Sequence, residues 1–308
     1  MIDPGVVYLD GQYLPHGEAS IPPLTHALHY GLAAFEGIRA YRTDAGKTVI
    51  FRLQEHLDRL FHSAKMIHLD RSLPTVDQIR VACHEVLRRN DLREGYLRPV
   101  IFSGHGAMGL YAPKNMVRVL IAAWKWGAYL GEEALKKGVR ACVSTYHRGM
   151  PGSFMAKAKV AGNYIPSILA KAEAKSRGYD EGLMPDATGR IVEGSGENLF
   201  YVRNGTLCTP PDASPILHGI TRQSILELAH KFEIPVEYSC PPRDLLYLAD
   251  EVFFTGTAAE VTPVREIDDQ VIGNGTPGPM TRKLQEAFFD IVRGRRPAPG
   301  AWLDEVDF

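Results

Sequence analysis

Two lysines, Lys157 and Lys159, stand in the run AKAKVAGNY. An amine whose pKa is lowered by desolvation can form a Schiff base with a carbonyl, and the flanking Ala, Val and Gly suit a confined site. Lysine is ordinarily a solvated surface residue, so local sequence favours that role and does not choose between the two. Downstream, EGSGEN places Glu193 and Glu197 four residues apart. Acid and base work, a cation partner or a simple turn would each use such carboxylates. Spacing of four pairs side chains only on a helix, and the glycines argue against one, which favours independent roles. In LHGIT, Gly219 and Thr221 open a helical pattern whose free amides and dipole favour a bound phosphate, although most such starts are merely capped. Neither glycine-rich run, GHGAMGLYAP or EGSGEN, is a GxxxxGK[ST] loop, and the glycines of EGSGEN do not follow the GxGxxG spacing, so nucleotide binding loses ground. His26 and His29 in THALHYG have the i, i+3 spacing of a helical metal pair. No HExxH and no nearby cysteine or carboxylate cluster completes a site, and no metal is expected. A serine nucleophile lacks its GxSxG elbow.

Several elements must position these residues. Leu57, Leu60, Phe61 and Ala64 recur at helical spacing, and a second helix starts at Thr75, where Thr75 and Gln78 stand in capping-box relation ahead of Ile79, Ala82, Cys83 and Val86. The runs 97–103 and 116–124 read as strands from their Val, Ile and aromatic content. The segment 125–138 has no strand pattern. Beyond it VRACVST reads as a strand, and Ile165, Ile168, Leu169 and Ala172 form a helical stripe ending near Gly178. A later helix carries Ile225, Leu228, Ala229 and Phe232 on one face. The tail RGRRPAPGAW reads as surface wrapping.

With 308 residues, 45% hydrophobic and 23% charged, the chain can bury two modest cores, and a disordered protein is excluded over most of its length. A formal charge of −1 does not mark a binder of nucleic acid or anionic membrane, so a small-molecule partner is expected. The four cysteines form no CxxC pair, which fits a reducing cytosol. No signal peptide pattern is present, and no run approaches the roughly 18 apolar residues of a membrane span.

Taken together, the order and wording of these segments resemble the fold-type IV (class IV) aminotransferases, in particular the branched-chain amino acid aminotransferases. The resemblance runs through THALHYGLAAFEGIRAY, FRLQEHLDRLFHSAK, YLRPVIF, WKWGAYLG, AKVAGNY, EGSGENLF, GITR, LYLADEVFFTGTAAEVTPV and GPMTRKLQEAFF. It implies an α+β, two-domain fold, with a small α/β N-terminal domain over 1–125, a linker over 126–135 and a larger pseudo-barrel domain over 136–308 that binds pyridoxal 5'-phosphate.

The family's active lysine stands five residues before the tyrosine of GNY, which selects Lys159 as the Schiff-base residue and proton shuttle. By the same resemblance Tyr164 bonds the cofactor's phenolic oxygen, and Glu193 pairs with the pyridine nitrogen and keeps it protonated. Arg59, the amides of Ile220 and Thr221, and Thr257 hold the phosphate, and Leu217 packs on the ring. Arg59 also lies off the apolar stripe of its helix, as a residue facing an anion should. Phe35, Gly37, Tyr96, Trp126 and Tyr129 line an apolar substrate pocket, with Tyr30 and Leu110 donated by a dimer partner. Arg98 takes the side-chain carboxylate of glutamate, and the amides around Thr257 and Ala258 take the α-carboxylate. The reaction implied is ping-pong exchange between leucine, isoleucine or valine and 2-oxoglutarate by a cytoplasmic homodimer, or a hexamer built on it.

Two departures touch this pattern. His218 stands where many relatives have proline, and Pro185 interrupts a strand that often runs without it. The loop 104–113 keeps its length but not its wording. The rival readings within the fold are D-amino acid aminotransferase and aminodeoxychorismate lyase. Outside it the rival is a catalytically silent phosphate-binding relative, against which the joint presence of Lys159, Tyr164, Glu193 and Arg59 argues.

Overall fold

The structure is a computed structural model describing residues 4–127 and 130–308. It is α+β and divides into two compact units. The first takes in Met1–Trp126, Ala158–Gly162 and Val292–Phe308, and the second Gly127–Lys157 and Asn163–Ile291. The units are thus not contiguous in sequence: 158–162 and 292–308, expected in the C-terminal domain, fall with the first unit.

In the first unit an antiparallel sheet runs in the order Leu303–Val306, Thr48–Phe51, Ile38–Arg42, Gly95–Ser103, Val117–Trp124, Val6–Leu9, Gln12–Pro15, and the short strand Ala33–Phe35 also pairs with Gly95–Ser103. Along Val117–Trp124 burial alternates, with Val119, Ile121 and Ala123 inside, because successive strand residues face opposite sides. Those residues pack with Leu57, Leu60 and Ala64 of the helix Leu53–Met66 and with Ile79, Ala82, Cys83 and Val86 of the helix Val76–Arg89. The Thr75 capping box is present in full: the hydroxyl accepts from the Gln78 amide, and the Gln78 side chain accepts from the Thr75 amide. Phe61 only flanks this core.

The tail does more than wrap a surface. Trp302 is buried, its ring 5.6 Å from that of Phe51, and Leu303–Val306 adds a strand to the sheet beside Thr48–Phe51. One large apolar residue after a polar, proline-rich run is enough to anchor it.

In the second unit the strands Ile191–Gly194, Glu181–Pro185, Val139–Val143, Glu260–Ile267, Glu251–Gly256 and Asn198–Arg203 are hydrogen-bonded in that order. Pairing of Glu193 with Asn198 joins the last to the first, closing a barrel of six strands around Val139, Ala141, Leu183, Ile191, Leu199 and Phe254. Thr206–Thr209 and Val236–Tyr238 extend the sheet beyond Asn198–Arg203. The segment that lacks a strand pattern contains a short helix, Glu132–Lys137, with acidic residues in its first turn and lysines in its last, as the helix dipole favours.

The helix Ile165–Ser176 forms where the apolar spacing places it, but that spacing does not mark its buried face. Its apolar stripe faces outward, with Ile165 and Ile168 each 59% exposed, while Ser167, Ala170 and Ala174 are buried. The neighbouring strand comes so close that a Cβ on Gly182 would lie 2.9 Å from the Ala170 carbonyl oxygen. Only small residues fit that face.

Candidate active site

The candidate residues divide between the units. Tyr30, Phe35, Gly37, Arg59, Tyr96, Arg98, Leu110, Trp126 and Lys159 belong to the first, and Tyr164, Glu193, Leu217, Ile220, Thr221, Thr257 and Ala258 to the second. Tyr129 lies outside the described residues.

In the first unit the segment carrying Lys159 is stitched to the strand Ala33–Phe35. The Phe35 amide donates to the Lys159 carbonyl (3.0 Å), the Gly162 amide donates to the Gly31 carbonyl (3.1 Å), and Ala34 bridges Val160. This approach needs Gly31, which takes φ +69° and would place a Cβ 3.0 Å from the Gly162 Cα. The Lys159 amide donates to the Ser63 hydroxyl (2.9 Å) on the helix that carries Arg59. With both its amide and its carbonyl held, Lys159 projects its Nζ to 4.9 Å from the centre of the Phe35 ring. Lys157, in the second unit, spends its ammonium on the carbonyls of Ser214 (2.8 Å) and Ile216 (3.0 Å), and burial lowers its pKa. The two lysines that local sequence leaves equivalent therefore differ in surroundings.

Arg59 is gripped by a carboxylate that sequence reasoning missed. Its Nε donates to Oε1 of Glu36 (2.6 Å) and its Nη2 to Oε2 (2.8 Å), while His56 Nδ1 lies 2.7 Å from Oε2. Glu36 and His56 are fully buried. Burial pushes the Glu36 carboxyl up, but the charge of Arg59 and the hydrogen bonds from His56 and Arg59 overcome it and hold the group far below the usual carboxylate range. Burial lowers the pKa of His56 against the pull of Glu36, with Arg59 and Lys159 adding to the lowering. Facing an ionised acceptor, Nδ1 carries the proton, and Nε2 is left as a buried acceptor without a partner among the described residues. A pairing signal does exist in the sequence: His56 and Arg59 are three apart on one helix and so share a face.

Around Arg98 the aromatic residues gather. Its guanidinium carbon lies 4.8 Å from the Phe35 ring centre and 5.4 Å from that of Tyr96, and Nη2 donates to the Tyr96 hydroxyl at 3.4 Å. The Tyr96 ring is 4.4 Å from Trp126. A Cβ on Gly37 would overlap the Tyr96 hydroxyl, so glycine is required there for space. Arg98 Nε is buried with no hydrogen-bond partner among the described residues, which leaves a guanidinium able to receive a carboxylate. Tyr30 is 44% exposed at the end of the helix His26–Tyr30, and Leu110 is 90% exposed.

In the second unit Glu193 is buried on Ile191–Gly194. Arg148 Nε lies 2.6 Å from its Oε1, and Asn198 Nδ2 donates to Oε2 at 3.3 Å and to the Leu217 carbonyl at 2.9 Å. Asn198 faces Glu193 across the strand pair that closes the barrel, so one amide ties the carboxylate to the turn holding Leu217. Pro185 ends its strand, where the pairing register shifts between Ile191 and Glu193, and its carbonyl accepts the Arg148 amide. The irregularity thus lies beside the Glu193 position, as a residue without an amide hydrogen dictates.

Ile220 and Thr221 open the helix Ile220–Lys231, whose N-cap Gly219 supplies no side-chain hydrogen bond. That start is therefore not merely capped, and its amides point toward any anion placed there. Thr257 and Ala258 sit in the turn between Glu251–Gly256 and Glu260–Ile267, Thr257 half-buried. Tyr164, half-buried, directly precedes the helix Ile165–Ser176. His218 is about half exposed, 3.6 Å from Asp212, and burial with the charge of Lys157 lowers its pKa.

The model of the amino-transferase class IV family matches residues 33–267. The branched-chain-amino-acid aminotransferase of Pseudomonas aeruginosa is 47% identical over 299 residues, which cover 97% of this chain and 96% of that protein. The crystal structure of the Escherichia coli branched-chain amino acid aminotransferase superposes with a TM-score of 0.95 at 44% identity, over 98% of this chain and 99% of that one. The branched-chain amino acid aminotransferase from Thermobaculum terrenum, solved in its PLP-bound holo form, superposes with a TM-score of 0.92 at 33% identity, over 99% of both chains. The chain therefore belongs to the class IV aminotransferases, and within them it is similar to proteins named for branched-chain amino acids.

Proposed function

We propose that the protein transfers amino groups between leucine, isoleucine or valine and 2-oxoglutarate with pyridoxal 5'-phosphate as cofactor. The observation that carries this reading is the placement of Lys159, which is fixed through its backbone amide and carbonyl and presents its amine over Phe35. The remaining residues suit the cofactor. A helix start without a side-chain cap offers amides to a phosphate, and a buried carboxylate held by an arginine and an amide suits a pyridinium nitrogen.

Pyridoxal phosphate, when bound, supplies a carbonyl carbon for the amino group and a cationic ring that accepts the electrons left by the departing α-proton. Lys159 would hold it covalently between turnovers, and during turnover its Nζ would carry the proton to and from the substrate's α-carbon. Glu193 would keep the ring nitrogen protonated, Tyr164 would donate to the phenolic oxygen, and Leu217 would pack on the ring. Arg59, Ile220, Thr221 and Thr257 would bind the phosphate. Phe35, Gly37, Tyr96, Trp126 and Tyr129 would exclude water around an apolar side chain. Arg98 would accept the glutamate carboxylate, and the amides of Thr257 and Ala258 the α-carboxylate. The exposure of Tyr30 and Leu110 supports a homodimer in which each copy lends them to the other. Among the described residues no helix is long and apolar enough to cross a membrane, and we place the enzyme in the cytoplasm.

The test is spectroscopic. Purified protein carrying the cofactor should show an absorbance band that shifts on adding leucine, with a branched 2-oxo acid as product. Lys159→Ala should abolish the shift and Lys157→Ala should leave it. The reverse pattern would sink the assignment, and a shift with D-amino acids alone would favour the rival reading.

A further inference from the structure

Glu36 poses a question that the proposed chemistry does not answer. A carboxylate beside an arginine meant for a phosphate cancels its charge, and burying it fully costs several kcal/mol before any partner repays it. Neutral, apolar packing would be cheaper between Phe35 and Gly37. What the carboxylate provides is geometry. Its oxygens receive Arg59 Nε and Nη2 as a fork, His56 Nδ1 at 2.7 Å and the Gly37 amide at 3.3 Å, so the acceptor sites are filled from three directions. The backbone of Glu36 is fixed as well, its amide donating to the Pro99 carbonyl at 2.9 Å. His56 and Arg59 share one helix, and Ser63 of the same helix accepts from the Lys159 amide. An arginine side chain free to rotate would give up about 2 kcal/mol of rotamer entropy on binding an anion. A fork held at Nε and Nη2 has already lost that freedom.

We infer that Glu36 is a positioning residue for the cofactor's phosphate: it cannot bind an anion itself, but it holds the Arg59 guanidinium in one orientation, with His56 as its second strut. The inference rests on the reading that Arg59 binds the phosphate. Glutamine at position 36 could keep one acceptor oxygen, but its amide group would confront the donor Nη2 of Arg59, so the fork would open.

The test compares pyridoxal 5'-phosphate with pyridoxal, which lacks the phosphate, by titrating cofactor-free protein and following the absorbance of the bound form rather than turnover. Glu36→Gln should weaken the phosphate compound about tenfold to hundredfold, the size of a charged hydrogen bond, and leave pyridoxal unchanged. In an Arg59→Ala background the same change should add little, because both substitutions act through one guanidinium. Glu36→Asp, which keeps the charge but withdraws it by one methylene, should reproduce the phosphate-specific loss and serves in its place if the glutamine variant fails to fold. Equal losses for both compounds, or full additivity with Arg59→Ala, would make Glu36 merely structural and overturn the inference. If the parent protein binds neither compound, the proposed function fails. If Arg59→Ala binds both like the parent, the phosphate assignment of Arg59 fails, and this inference with it. An unimpaired Glu36→Gln beside an impaired Arg59→Ala refutes the inference alone.

Discussion

Replacing Glu197 by glutamine should alter how stability depends on pH, with little effect on the fold. Glu197 is buried beside a second buried carboxylate, Glu181, which is partnered by Lys171, the Ser195 hydroxyl and the Gly182 amide. Glu197 receives the Gly196 amide at 3.1 Å. Burial, and after it the charge of Glu181, push the Glu197 carboxyl from 4.5 up to about 8. The native state therefore keeps a proton that the unfolded chain releases across that interval. Its contribution is fully present below the unfolded value and is lost as pH rises toward the folded one. Between about pH 6 and pH 8 the slope approaches one proton, about 1.4 kcal/mol per pH unit, so this carboxyl should remove about 2 to 3 kcal/mol of stability over the interval. Glutamine resembles the protonated acid and does not titrate. The assay is denaturant unfolding of both proteins at the two pH values, followed by tryptophan fluorescence. Taking the difference between proteins cancels groups common to both, including buried His56. Relative to the parent, Glu197→Gln should gain those roughly 2 to 3 kcal/mol across the interval. Parallel pH dependence in the two proteins would show that Glu197 is ionised in the folded state and would refute the reasoning.

Three further outcomes follow from the geometry. Gly37→Ala would push the Tyr96 hydroxyl aside, and because that ring lies 4.4 Å from Trp126 the displacement should spread, costing about 1–3 kcal/mol. Kinetics with leucine and thermal melting check it; unchanged kinetics with a lowered melting point would remove Gly37 and Tyr96 from the substrate pocket. Arg98→Ala should slow the half-reaction with glutamate more than that with leucine, by about tenfold to hundredfold for a lost charged hydrogen bond, as single-turnover absorbance would reveal. Equal losses would count against its side-chain role. Trp302→Ala should cost about 3–5 kcal/mol, since it empties a buried site against Phe51 and Arg52, and an unchanged calorimetric melting point would show that the tail contributes nothing.

How much of this is legible in the sequence depends on the range over which each feature is decided. The Thr75 capping box is decided within four residues, and sequence and structure agree on it. The chain is α+β as expected, yet its barrel needs the parallel pairing of Val139–Val143 with Glu260–Ile267, strands far apart in the chain, which no local pattern announces. The stripe Ile165, Ile168 and Leu169 shows the limit of periodicity: it establishes that a helix has an apolar face, but not that this face is the buried one. There the backbone of Gly182 decides the matter by approaching closely enough that only Ala170 and its small neighbours fit. Trp302 illustrates the converse, where a single residue outweighs a polar tract.

The chemistry follows the same division. Local sequence cannot separate Lys159 from Lys157, because their flanking residues are equally small and apolar; resemblance chooses between them, and the structure places them in different hydrogen-bonding surroundings. The helix start at Ile220 is a weak phosphate signal because sequence does not reveal whether a cap is present, and here no side chain supplies one. Glu36 escapes notice because a lone acidic residue in a strand-rich segment looks like a solvated edge, and only burial turns it into a grip. The same holds for Arg148 and Asn198 at Glu193. Residues that would touch a ligand carry recognisable chemistry in a short motif, whereas those that hold them can reach across 20 positions, as His56 does toward Glu36. Their role arises only when folding supplies the partner and removes the water that would otherwise satisfy both.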